Sequence, residues 1–98
     1  MELDISAGVQ AKLSNKNPPV RKEEIIECFG NRVGVFLKDT RGVHQSDPPT
    51  VWFIAETNFG RKLKIAFIQR GTKITIRTAY DPNADELRIY AKYGITQS

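Results

Sequence analysis

The residues best suited to chemistry lie in two short stretches of the sequence. Residues 39–57 read DTRGVHQSDPPTVWFIAET and contain Arg41 and the single histidine of the chain, His44. An imidazole titrates near neutral pH, so His44 can exchange a proton, and an arginine can hold a phosphate through paired hydrogen bonds. The second stretch runs from Arg61 to Arg77 and holds six cations and no acid. This combination favours the handling of phosphodiesters over acyl transfer.

Cleavage of RNA through its own 2′-hydroxyl needs a base, an acid and positive charge near the phosphate, and it needs no metal or cofactor. We therefore predict that His44 exchanges the proton and that Arg41 and Arg61 hold the phosphate and stabilise its transition-state charge. Substrate binding is predicted for three more residues, of which the last could stack on a base or donate a proton: Lys62, Arg77 and Tyr80.

Each of these residues also has a purely structural interpretation. His44 could be an idle surface side chain, and Arg41 or Arg61 could pair on the surface with Asp39 or Glu56. Lys64 is expected only to keep the sheet soluble. Of the adjacent aromatics Trp52 and Phe53, one should lie in the core, and the other could be a partly exposed platform.

Composition limits the class of protein. The chain has 98 residues, which fits one domain over residues 1–98, and 15 Lys and Arg against 11 Asp and Glu give a net charge of +4. Its single cysteine, Cys28, excludes an internal disulfide and a cysteine zinc cluster, and we predict neither a metal site nor a cofactor. No signal peptide and no membrane span are recognisable, which predicts a cytoplasmic protein.

The hydrophobic pattern predicts an α+β fold. Ser6 can cap a first helix that ends near Ser14, and a second helix should cover about Arg21 to Phe29. The period then becomes alternating over residues 32–39, 50–57, 61–68 and 73–80, and short turns favour a four-stranded antiparallel meander. A C-terminal helix should follow within residues 81–94, capped by Asp81 with Pro82 in its first position. We expect the helices on one face of the sheet.

From the second helix onward the chain resembles the BrnT-like branch of the RelE/ParE toxin superfamily. The resemblance rests on the order of short motifs: VRKEEIIECF, DTRGVHQSDPPTVWFIAET, GRKLKIAFI and ITIRTAYDPNADELRIY. It implies a RelE-like fold and a ribonuclease acting as the toxin of a type II toxin–antitoxin pair. By position, Asp39 and Arg41 match a D-x-R stretch, Arg61 matches a G-R turn, and Thr78 matches a small hydroxyl residue late in the last strand, which adds Asp39 and Thr78 to the substrate-binding set.

The expected partners are an RNA substrate and a cognate antitoxin that covers the cationic face, with a homodimer also possible. Three alternatives stay open. The chain could be a non-enzymatic module that binds nucleic acid or protein, or a catalytically degenerate toxin homologue, since Gly42 stands where related chains carry an acid. A hydrolase of ADP-ribose or of another small phosphorylated ligand is the third, and it would need a deep pocket.

Overall fold

A computed structural model describes residues 2–39 and 48–95 of the chain. Within these residues the α+β class, the N-terminal helices and the C-terminal helix are confirmed. The elements follow the chain in this order: β1 (Glu2–Asp4), α1 (Ala7–Ser14), α2 (Lys22–Asn31), β2 (Leu37–Lys38), β3 (Val51–Glu56), β4 (Lys62–Arg70), β5 (Lys73–Tyr80) and α3 (Ala84–Tyr93). The longest of these helices, α2 and α3, have ten residues, so no helix in the described ranges could cross a bilayer.

The strands form one sheet in the order β1-β5-β4-β3-β2. Strands β2 to β5 pair antiparallel with their sequence neighbours, as the predicted meander requires. The predicted number of strands is wrong, because β1 adds a fifth strand parallel to β5, with Leu3 opposite Ile74. Three residues are too few to show an alternating pattern, and the partner of β1 lies at the far end of the chain. The sheet is therefore mixed rather than antiparallel throughout.

The first predicted strand is also wrong over most of its length. Only Leu37–Lys38 of residues 32–39 pairs with β3, and Val33 has 84% of its surface exposed. The preceding backbone turns toward the end of α3, where the Val35 N–H donates to the Gly94 carbonyl at 2.8 Å. Gly34 permits this approach, since a Cβ on it would lie 2.5 Å from the hydroxyl oxygen of Tyr90. Contact with α3 therefore replaces sheet pairing in this segment.

The two faces of the sheet are covered by different helices. One face, here called the α2 face, packs Phe53 and Phe67 against Phe29 of α2, with ring centroids 4.8 and 5.3 Å from that of Phe29. The opposite face, here called the α3 face, carries Trp52, whose ring lies 5.6 Å from that of Tyr90 in α3. Trp52 and Phe53 are successive strand residues and so point to opposite sides. The prediction of helices on a single face is wrong, because strands β3 and β4 bury apolar side chains on both sides.

The starts of α1 and α3 are fixed by side-chain caps. Ser6 accepts from the Val9 N–H at 3.2 Å and caps α1 as predicted. The cap of α3 is Asn83 rather than Asp81, because the Asn83 side chain accepts from the Glu86 N–H at 2.8 Å while Glu86 accepts in return from the Asn83 N–H. Asp81 is bound elsewhere, to Arg61.

Candidate functional site

The two residues on which the sequence prediction relies most, Arg41 and His44, lie outside the described residues. Asp39, which precedes that segment, is half-buried and lines a groove on the α3 face. The groove, here called the α3-face groove, has a volume of about 590 Å³, which is within the range of small-ligand sites. Its lining residues come from β2, β3, β4, α3 and the residue after β2: Leu37, Lys38, Asp39, Trp52, Lys64, Glu86, Ile89 and Tyr93.

Lys64 lies at the floor of this groove and is almost entirely buried, with 8% of its surface exposed. Its Nζ bonds to Oε2 of Glu86 at 2.8 Å and lies 4.5 Å from the centroid of the Trp52 ring. A buried ammonium needs such a partner, since an unpaired charge in the interior is costly. The expectation that Lys64 only keeps the sheet soluble is therefore wrong.

Tyr80 joins the same cluster from β5. Its hydroxyl donates to Oε2 of Glu86 at 2.5 Å, and Lys64 lies opposite it in the β4–β5 register. Burial raises the pKa of Tyr80, and the hydrogen bond to Glu86 raises it further, while Lys64 acts in the opposite direction. Tyr80 is therefore a neutral donor at physiological pH.

Glu86 is the acceptor that joins the cluster. Burial alone would raise the pKa of its carboxyl, but hydrogen bonds from Lys64, Tyr80 and the Asn83 backbone outweigh burial and lower it. The carboxylate is therefore ionised at neutral pH. The cluster of Lys64, Glu86 and Tyr80 thus places a cation, a proton acceptor and a hydroxyl donor at one point beside the groove.

Arg61 is placed differently from the other predicted site residues. Its guanidinium binds Oδ1 of Asp81 at 2.6 Å, both carboxylate oxygens of Glu24 at 3.3 Å, and the carbonyls of Pro18 and Pro19 at 2.9 and 2.7 Å. Burial would lower the pKa of Arg61, but the hydrogen bond and charge of Asp81 and the charge of Glu24 raise it. Its donors connect Glu24 in α2 with the two prolines before α2 and with Asp81, which follows β5. A phosphate could bind this guanidinium only by displacing these partners.

The remaining predicted residues are spread along the sheet. Thr78 pairs with Ala66, which pairs with Trp52, so Thr78 lies on the α3 face two strands away from Trp52. Arg77 is exposed and stands where the β4–β5 register shifts. Lys62 is exposed and lines a different groove from the α3-face groove. The structure thus places the Tyr80 hydroxyl against Glu86 and places Asp39 in the groove that Lys64 and Glu86 line, whereas Arg61 binds Asp81 and Glu24 and Lys62 lines another groove.

Sequence reasoning missed Lys64 and Glu86 as functional candidates. A lysine in an alternating strand is normally solvated, and Glu86 has the spacing of a capping-box residue, which already explains it. Trp52 is the sequence feature that could have identified them. A tryptophan on the same side of the sheet as Lys64 indicates that this side is covered by another element. In the ranges 2–39 and 48–95, no group of three His, Cys, Asp or Glu side chains is arranged to hold a metal ion.

Compared with protein-family profiles, with curated proteins and with solved structures, the chain matches none of them.

Proposed function

We propose that this protein is a metal-independent ribonuclease with a RelE-like fold, acting in the cytoplasm as the toxin of a type II toxin–antitoxin pair. One observation carries the proposal: the ionised carboxylate of Glu86 lies in direct contact with the Lys64 ammonium and the Tyr80 hydroxyl beside the α3-face groove of about 590 Å³. A carboxylate can accept the proton of a 2′-hydroxyl, and a cation beside it can stabilise the charge on the phosphate.

In the proposed reaction Glu86 accepts the proton of the 2′-hydroxyl. The 2′-oxygen then bonds to phosphorus while the bond from phosphorus to the 5′-oxygen breaks, which leaves a 2′,3′-cyclic phosphate. Lys64 stabilises the negative charge that builds up on the phosphate, and Tyr80 holds the carboxylate in place. The leaving 5′-oxygen takes a proton from His44, which the sequence predicts to exchange a proton as base or acid and which acts here as the acid.

The first test is incubation of the purified protein with a uniformly labelled single-stranded RNA in EDTA, with and without ribosomes. We expect products with 2′,3′-cyclic phosphate ends, and no cleavage of the same strand made as DNA. Glu86→Gln should lower the cleavage rate by about a hundredfold or more, the usual effect of losing a general base. Glu23→Gln is the matched control, since Glu23 is an exposed glutamate in the first turn of α2.

Two further measurements separate the roles in this proposal. His44→Ala should slow cleavage while leaving RNA affinity nearly unchanged. Expression of the protein alone should arrest growth, and co-expression of the protein encoded by a neighbouring gene should relieve the arrest. Cleavage that appears only after a divalent metal is added would contradict the mechanism, and cleavage that survives Glu86→Gln would contradict the assignment of the base.

A non-enzymatic binding module is the second candidate, and the state of Arg61 favours it. The guanidinium predicted to clamp the phosphate is saturated by Asp81, Glu24 and two carbonyls, which removes one cation from the predicted catalytic set. A binding module would hold RNA without turnover, with an affinity that falls steeply with salt and depends on exposed cations such as Arg77. RNA binding without any cyclic phosphate product would therefore select this candidate.

A further inference from the structure

The outer edge of β3 is left open beyond its second residue. Strand β2 pairs with Val51 and Trp52 only. The ladder does not continue toward Ile54, because the Val35 N–H donates to the Gly94 carbonyl and the Val35 carbonyl accepts from the Tyr90 hydroxyl, both at 2.8 Å. Within the described residues, no strand therefore covers β3 from Ile54 to Glu56.

The direction of the backbone groups along this edge follows from two hydrogen bonds. The Thr57 N–H donates to the Arg61 carbonyl, toward the β4 side, and the Asp39 N–H donates to the Thr50 carbonyl, on the opposite side. Because the backbone groups of a strand alternate in direction, the N–H and C=O of Ile54 and Glu56 point away from β4.

Two of these four outward groups already have neighbours. The Glu56 carbonyl accepts from Nδ2 of Asn31 at 3.0 Å, and the Ile54 N–H lies close enough to the Tyr90 hydroxyl to affect its pKa. The other two, the Ile54 carbonyl and the Glu56 N–H, have no hydrogen-bond partner in the part of the chain that the structure describes.

This pair of free groups is best matched by a parallel strand, which bonds both of them through a single residue. In a parallel ladder a single residue donates its N–H to the C=O of residue i−1 and accepts from the N–H of residue i+1 on its neighbour. A residue opposite Ala55 would make both bonds. An antiparallel neighbour reaches the same two groups only through the two residues that flank the one opposite Ala55. Each of these residues would direct its second backbone group at the Ile54 N–H or the Glu56 carbonyl, which already have neighbours within the protein.

The edge forms one side of a groove of about 760 Å³, here called the β3-edge groove, whose other walls come from α3 and from the residues after α2. Leu87, Tyr90 and Ala91 give it an apolar wall on the α3 face. Lys62 stands on the same face opposite Glu56, and its ammonium forms no ion pair within the described ranges. A recessed edge of this kind admits a single extended segment, whereas two copies of the chain would meet wall against wall.

We propose that the β3-edge groove binds an extended peptide segment of a partner protein as a strand parallel to β3. The central residue lies opposite Ala55 and makes both backbone bonds. The residue before it is apolar and packs on Leu87 and Ala91, and the residue after it is acidic and pairs with Lys62. Strand addition of this type draws its affinity from main-chain bonds and its specificity from alternate side chains. It is independent of the ribonuclease activity.

The probe is the fluorescein-labelled peptide Thr-Leu-Ser-Asp-Thr with an amidated end, titrated with the full chain while its fluorescence polarisation is measured. Its matched control carries an N-methyl group on the serine nitrogen and so lacks the donor for the Ile54 carbonyl. We expect saturable binding that weakens about tenfold or more with the N-methyl peptide, the size of one lost hydrogen bond. The Glu56 backbone amide should shift in the ¹⁵N spectrum and exchange more slowly when the peptide binds.

Two protein variants locate the site. Ala91→Phe should weaken binding by filling the groove, and Ala11→Phe, a change at an exposed position of α1, should not. Equal binding of the two peptides, no saturable binding, or an unshifted Glu56 amide would overturn the proposal. Protection of the Glu56 amide without peptide, increasing with protein concentration, would assign the edge to a second copy of the chain and overturn it too.

Discussion

Lys64 and Glu86 form an ion pair at 2.8 Å on the covered face of the sheet, with side chains only 10% and 16% exposed. The pair connects the central strand β4 to the first turn of α3. The ammonium of Lys64 also faces the ring of Trp52, the single tryptophan of the chain, so the state of the pair can be followed by fluorescence.

Lys64→Met should destabilise the protein and change its fluorescence. The substitution leaves the Glu86 carboxylate without its cation, and we expect the free energy of unfolding to fall by about 1–3 kcal/mol, less than for a fully buried pair. The emission of Trp52 should shift as the charge beside its ring is lost. Lys62→Met is the control in the same strand, because Lys62 is exposed, and it should change the stability by less than about 0.5 kcal/mol. An equal effect of both variants in urea denaturation would contradict the structural role of Lys64.

The stabilisation from Glu86 should depend on pH in acid. Its carboxyl has a lower pKa in the folded protein than its ordinary value of 4.5, so the stability it contributes is fully present above that value and is lost as the pH falls through the folded pKa. The difference in unfolding free energy between the natural protein and Glu86→Gln should therefore be constant from pH 7 down to about 5 and shrink at lower pH. A difference that grows as the pH falls would contradict the lowered pKa.

Arg61→Ala should destabilise the protein although Arg61 is not part of the apolar core. It removes the partner of Glu24, whose side chain is only 12% exposed, and the donors to two backbone carbonyls, so we expect a loss of about 2–3 kcal/mol. Arg88→Ala is the control, because the Arg88–Asp85 pair is 72% exposed at both residues and should contribute under about 1 kcal/mol. Thermal unfolding measures the stability of both variants. Equal losses would show that the contacts of Arg61 add little to the stability of the fold.

Gly34→Ala tests the contact between the segment before β2 and α3. The added Cβ would lie 2.5 Å from the Tyr90 hydroxyl oxygen and 2.7 Å from the Gly94 carbonyl oxygen, and we expect a loss of about 1–3 kcal/mol. Gly30→Ala is the matched control inside α2, where the new methyl group meets nothing within 4 Å and alanine favours the helix, so stability should rise by up to about 1 kcal/mol. Urea denaturation measures the change in the free energy of unfolding for both variants. A Gly34→Ala variant as stable as the natural protein would contradict the close approach of Gly34 to α3.

The sequence predicted the elements whose pattern is long and locally determined. Strands β3, β4 and β5 alternate over six to nine residues and are joined by short turns, so their antiparallel pairing could be inferred without knowledge of the rest of the chain. The segment before β2 has the same apparent alternation, but its backbone bonds to Gly94, a partner that no local pattern identifies. The parallel pairing of β1 was hidden for the same reason.

The candidate site depends, more than the fold does, on contacts between residues that are distant in sequence. Tyr80 was singled out because its ring could stack on a base and its hydroxyl could donate a proton, and the structure places this hydroxyl against Glu86. Lys64 was set aside, because its burial depends on α3 covering the second face of the sheet, and an amphipathic helix does not show which face it will cover. Arg61 was predicted as a phosphate ligand, and its contacts with Glu24 and Asp81 could not be predicted because these residues are distant from it in sequence.

The pairing of residues 2 and 73 also affects the order in which the strands of the sheet can form. The first strand leaves the ribosome long before its partner, and it cannot join the sheet until most of the chain has been made. Contacts of such long sequence separation slow folding, because the intervening chain must be closed first. The meander of β3, β4 and β5 can form earlier, and until β1 arrives the outer edge of β5 is an exposed template for pairing with another chain. The newly made protein is thus open to self-association along the outer edge of β5, which the finished molecule covers.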